Sequence, residues 1–100
     1  MDEDVKQLEL GELVIDKGRH QVTINNAIIE LTYKEYELLN YLVLNKGLVL
    51  RRDQIMERIW GIDYEGESRT LDMHIKTLRQ KLGEFGQRIR TIRNVGYVIE

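Results

Sequence analysis

Residues 68 to 82, SRTLDMHIKTLRQKL, constrain the fold more than any other stretch, because their apolar side chains repeat with the period of an α-helix. At 100° per residue Leu71, Ile75, Leu78 and Leu82 share one narrow arc, while Arg69, Met73, Lys76, Thr77 and Gln80 occupy the opposite side. A leucine-lined arc must be buried against other elements, so this helix has to lie on a core. Its far side carries no acid, in a chain whose formal charge is −2, and asks for a partner that rejects carboxylates.

The charge is polarised along the sequence. Residues 69–99 hold seven Lys or Arg against two acids, a local +5, whereas residues 1–68 hold eight basic and fourteen acidic residues, a local −6. A polyanion face confined to the C-terminal third is compatible with an acidic whole, since fields act within a Debye length of roughly 10 Å. A chance excess on a solvated surface is the bland alternative. One hundred residues with 42% hydrophobic content suit a single domain over 1–100. No run approaches a membrane span and MDEDV lacks the pattern of a signal peptide, so no membrane association and a cytoplasmic location are expected. Zero cysteines exclude disulfides and thiolate metal sites.

Along the chain LELGELVID, HQVTI and AIIEL read as strands of a small antiparallel meander, with DKGR and NN as tight turns. In LTYKEYELLNYLVLNKG, Thr32 and Glu35 have capping-box spacing, Leu38, Leu39, Leu42 and Val43 follow at helical period, and Gly47 is placed as the C-terminal stop. After a short apolar segment, LVL, the run RRDQIMERIWG predicts a second helix with Ile55, Met56, Ile59 and Trp60 inward, closed by Gly61. Its start is poorly capped by Arg51, although Asp53 suits the helix dipole. GIDYEGES reads as an exposed acidic connector, and RIRTIRNVGYVIE as a hairpin turning around Asn94 to Gly96. Strands, three helices and a hairpin match the layout of a winged helix-turn-helix.

The paired runs R-T-x-D-x-H-I-x-x-L-R-x-K-L and T-x-R-x-x-G-Y, with LTYKEYELLNYL and IMERIWG before them, resemble the effector domains of OmpR/PhoB-type response regulators over roughly residues 8–100. The resemblance implies an α+β fold with an N-terminal four-stranded antiparallel sheet, a three-helix core and a C-terminal β-hairpin wing. It implies sequence-specific binding to double-stranded promoter DNA, by a domain monomeric alone and a tandem dimer on direct repeats. It further implies a receiver domain, absent from this chain, that is phosphorylated in a relay from a sensor kinase. The connector, with Ile62, Asp63, Tyr64, Glu65 and Glu67, matches a loop that contacts RNA polymerase in some members. Thr77 stands where an arginine often reads a base, which suggests different sequence preferences and more reliance on thymine-methyl and phosphate contacts. Asn94 replaces the wing-tip glycine, and Asn tolerates the left-handed conformation the turn needs. The acidity of the domain suggests weak binding by the isolated chain.

DNA binding needs cations on phosphates to position the protein and donors or methyl contacts at base edges to specify sequence. Met73, Lys76, Thr77 and Gln80 are the candidates for base edges, with Arg93 at the hairpin tip for the minor groove. Arg69, His74, Arg79, Thr91 and the Trp60 N–H are the candidates for phosphates. Lys76 and Gln80 also fit an ordinary solvated helix face. Asp72 is expected to fix Arg69 or a wing arginine, because a carboxylate near phosphate is repulsive, and Tyr97 to anchor the wing on the third helix. His74 lacks a second ligand at i+3 or i+4, so no metal is expected. No catalytic motif or cofactor signature occurs, and Ser68, Asp72 and His74 do not face one another as a hydrolytic set would. The rival to DNA binding is a winged-helix protein-interaction module with incidental DNA affinity.

Overall fold

The computed structural model describes residues 6–61 and 69–100, so the acidic connector with Ile62, Asp63, Tyr64, Glu65 and Glu67 lies outside the described residues. The architecture is a winged helix-turn-helix preceded by a sheet. Strands β1 (Gln7–Leu10), β2 (Leu13–Asp16), β3 (Gln21–Ile24) and β4 (Ala27–Ile29) form an antiparallel sheet in that order. Leu13, Ile15 and Val22 point into the core.

Two turns differ from the residue-level reading. LELGELVID is two strands, because Gly11 takes φ +57° and reverses the chain between β1 and β2; this is the fourth strand that the family resemblance implied. The turn after DKGR takes in His20, which the sequence reading places at the start of the HQVTI strand, and the left-handed residue there is His20, at φ 56°, not Gly18. Its ring stacks on Tyr36 with centroids 3.7 Å apart, which compensates the backbone cost. The Asn25–Asn26 turn behaves as expected, both residues having positive φ as a two-residue hairpin loop requires.

Helix α1 (Tyr33–Leu44) begins with the predicted capping box: Glu35 N–H donates to Thr32 Oγ1 at 3.2 Å and Thr32 N–H donates to Glu35 Oε1 at 2.8 Å. It ends at Asn45, not at Gly47, which lies two residues beyond and donates its N–H to the Ile99 carbonyl. Strand β5 (Leu50–Arg51) leads directly into α2 (Arg52–Trp60), whose weak start is half mended by the Gln54 side chain accepting from Arg51 N–H. Helix α3 (Arg69–Leu82) runs into a 3-10 helix (Gly83–Arg88), then β6 (Ile89–Ile92) and β7 (Gly96–Ile99).

The LVL segment read only as apolar supplies β5, a third strand for the wing, in the order β5-β7-β6. The core joins both sheets and all three helices, through Leu13, Leu38, Leu42, Ile55, Ile75 and Ile99 among others. Leu71, Ile75, Leu78 and Leu82 are all buried. At roughly 1.5–3 kcal/mol per side chain, against about 0–1 for a surface ion pair, their burial decides which face of α3 turns inward.

Candidate nucleic-acid interface

Three polar clamps fix the remaining freedom of α3. The first comes from α1. Glu35, only 3% exposed, accepts from Thr77 Oγ1 at 2.6 Å and from Lys81 Nζ at 2.7 Å. Burial pushes its carboxyl pKa up, but the bonds from Lys81, Thr77 and the Thr32 backbone outweigh that and hold it at about 2. Glu35 is therefore a buried anion at neutral pH.

The second clamp gathers α2, α3 and the wing. Arg52 donates through both Nη atoms to the Asp72 carboxylate, one bond being 2.9 Å, and the Tyr97 hydroxyl donates to Asp72 as well. The Arg52 bond, opposed by burial and aided by Tyr97, holds the Asp72 carboxyl below its usual range, while burial and the Asp72 charge raise the Tyr97 hydroxyl. Asp72 thus has the expected structural role, with Arg52 as its partner instead of Arg69 or a wing arginine. Tyr97 anchors the wing on α3 as expected.

The third clamp is Arg79. Its Nε and Nη2 donate to the Ile89 carbonyl at 3.0 and 2.7 Å, Nη2 reaches Thr91 Oγ1 at 2.9 Å, and the guanidinium lies over the Tyr97 ring. Arg79 and Thr91, both expected on phosphates, are thereby joined to each other at the base of the wing.

With α3 so held, Arg69, Met73, Lys76, Thr77 and Gln80 are all exposed, and so is Arg93 beside the hairpin turn, where Asn94 takes φ 64°. Met73 is 63% exposed. Lys76, Gln80 and Arg93 make no side-chain hydrogen bond or ion pair among the described residues. Thr77 differs, since its hydroxyl is turned back to Glu35. His74 and Trp60 sit half-buried at one flank: the His74 ring bonds through Nδ1 to the Thr70 carbonyl at 2.8 Å and meets the Trp60 ring edge-on at 5.1 Å. Lys34 donates to the Ile59 carbonyl and lies over the same indole.

The one acid of α3 is bonded to Arg52; Arg69, Lys76 and Gln80 are exposed on its far side, and the hairpin tip carries Arg93. The described residues hold no cluster of groups fit for a metal, and none of their helices is long and apolar enough to cross a membrane.

Residues 25–99 match the family model described as transcriptional regulatory protein, C terminal. The chain belongs to the OmpR/PhoB-type family of response-regulator effector domains. Members of this family are transcriptional regulators and not enzymes. Sensory transduction protein RegX3 of Mycobacterium leprae (strain TN) is 44% identical over 96 residues, covering 93% of this chain and 48% of that protein. Response regulator ArlR of Staphylococcus epidermidis is 42% identical over 100 residues, covering 98% of this chain and 45% of that one. The chain spans just under half the length of these curated relatives. Among solved structures, the Klebsiella pneumoniae RstA DNA-binding domain in complex with the RstA box superposes with a TM-score of 0.84 at 31% identity, covering 95% of this chain and 97% of that one. The response regulator DrrB of Thermotoga maritima, an OmpR/PhoB homologue, gives 0.86 at 31% identity over 98% of this chain and 46% of its own.

Sequence reasoning missed Glu35 beyond its capping role, and it missed Arg52 and Lys81. Their partners lie 20 to 46 residues away in sequence, and no local periodicity signals such a pairing.

Proposed function

We propose that this chain binds double-stranded DNA sequence-specifically, with α3 in the major groove and the hairpin in the neighbouring minor groove, as the effector domain of a two-component response regulator. The observation that carries this reading is the exposure of Lys76, Gln80 and Arg93 on a helix and wing whose one acid, Asp72, is bonded to Arg52. Lys76 and Gln80 have the reach to bond base edges, and Met73 packs against thymine methyls. Arg93 enters the minor groove, where a guanidinium favours narrow A·T segments. Arg69 at the start of α3 contacts phosphate, and Trp60 and His74 are phosphate candidates at a flank of the helix.

Arg79 and Thr91 set the stance of the wing so that helix and tip engage the duplex together. The likeness to the RstA domain, whose structure contains its box, supports the assignment. Names such as response regulator among the relatives support a receiver domain and sensor kinase upstream; tandem pairing on promoter direct repeats and contact of the 62–67 connector with RNA polymerase are further parts of the proposal, which rest on the family resemblance.

Selection of bound duplexes from a random pool tests the reading. Enrichment of two half-sites about one helical turn apart is expected. Lys76→Ala then relaxes the preference at one position, and Arg69→Ala weakens all sequences alike. Absence of any enriched sequence at physiological salt would instead favour a protein-docking winged helix.

A further inference from the structure

We infer that Met73 and Thr77 together read thymine C5-methyl groups, and that Glu35 on α1 makes Thr77 a methyl reader by holding its hydroxyl. The inference rests on the DNA-binding reading above and specifies what one step of that reading recognises.

A threonine on a recognition helix ordinarily offers two chemistries, a hydroxyl that can donate or accept at any base edge and a methyl that contacts thymine. Here the two are separated. Thr77 is exposed, yet its Oγ1 donates to Glu35 Oε2 at 2.6 Å and lies 3.2 Å from the His74 carbonyl, back along its own helix. A helical threonine adopts such a rotamer readily, because its oxygen can satisfy the preceding turn. The acceptor is an ionised carboxylate, so the bond is charge-assisted and among the stronger protein hydrogen bonds. Lys81 at 2.7 Å and the Thr32 backbone at 2.8 Å hold that carboxylate in place, so it does not swing away to release the hydroxyl. Donating to guanine O6 or N7 would require Thr77 to break this charge-assisted bond and would deprive Glu35 of one of its donors. With the oxygen turned inward, the methyl is what the side chain presents outward.

Met73 stands one turn earlier at i−4, on the same outward arc, and is itself 63% exposed. The two flank a shallow depression of about 180 Å³ lined by Thr32, Glu35, Met73, His74 and Thr77. Of the polar side chains in that lining, the Thr77 hydroxyl is bonded to the Glu35 carboxylate, the Thr32 hydroxyl accepts from Glu35 N–H and His74 Nδ1 is engaged with the Thr70 carbonyl. What Met73 and Thr77 themselves offer a ligand there is apolar contact. Thymine is the base that carries a methyl in the major groove.

The test replaces each thymine of the selected duplex by deoxyuridine, which deletes the methyl and leaves base pairing intact, and measures affinity by fluorescence anisotropy with the whole chain. At one or two positions the replacement should weaken binding roughly fourfold, the scale of one buried methyl. Thr77→Val, which keeps the methyl and lacks the hydroxyl, should retain the penalty at its position; Thr77→Ser, which keeps the hydroxyl and lacks the methyl, should abolish it.

Glu35→Ala should release the hydroxyl and broaden the preference at that step to include guanine, and Glu35→Ala/Thr77→Val should return it to thymine. A purely structural Glu35 predicts no such rescue. The inference is overturned if deoxyuridine costs nothing anywhere, if Thr77→Ser keeps the penalty, or if the double variant stays broad. Should Glu35→Ala fail to fold, the serine and valine variants still decide the role of Thr77. Loss of the underlying DNA reading would show separately, as a wild-type chain that enriches no sequence at all.

Discussion

Glu35 shows how much one residue decides. Its spacing to Thr32 marks it as a capping partner, and it does cap α1, but the same carboxylate also receives Thr77 and Lys81 from α3. Its folded-state pKa of about 2 lies below the ordinary 4.5. A depressed carboxylate stabilises the fold at pH values above its unfolded pKa, and that contribution is lost as pH falls through the folded value. Urea denaturation should therefore show stability declining between pH 4.5 and 2, by up to roughly 2–3 kcal/mol from this group. Glu35→Gln should flatten the decline in that window, and an unchanged slope would show that the carboxylate is not held as described.

At the scale of elements, the wing depends on a close approach. Gly96 in β7 pairs with Arg51, and a Cβ at this position would run into the carbonyl of Leu50 in β5. Neither group is a flexible side-chain end, so both strands would have to part. Gly96→Ala should cost about 2–3 kcal/mol and raise hydrogen exchange at the β5 and β7 amides before those of the N-terminal sheet. Tyr97→Phe removes the hydroxyl's bonds to Asp72 and Arg52 without touching the backbone, and should cost about 1 kcal/mol, with the wing left paired. If the two variants destabilised equally, the backbone contact would not be the critical one. Both concern how the hairpin is set beside α3, and so whether helix and tip can meet one duplex.

The whole molecule is acidic, with a formal charge of −2, yet it turns a locally basic face outward. A small net charge gives little long-range attraction to a polyanion, so affinity has to come from short-range phosphate neutralisation. The logarithm of the binding constant should then fall linearly with the logarithm of salt, by about 0.9 per phosphate; four such contacts would cost about two orders of magnitude between 50 and 200 mM. A titration that is flat over this range would refute the phosphate contacts. Helical period alone determined that Leu71, Ile75, Leu78 and Leu82 face inward and that Lys76 and Gln80 face out, because 3.6 residues per turn is a local property of the backbone. Some caps and turns were legible for the same reason, as Thr32, Gly61 and Asn94 illustrate, whereas the α1 stop at Asn45 and the turns at Gly11 and His20 were not. Only the tertiary structure decided that Glu35 meets Thr77 and Lys81, that Asp72 takes Arg52 and Tyr97, that Arg79 grips the wing and that Leu50 adds a strand to it. These pairings depend on where packed elements bring distant residues together, and hydrogen bonds made across a core leave no periodic trace in the chain.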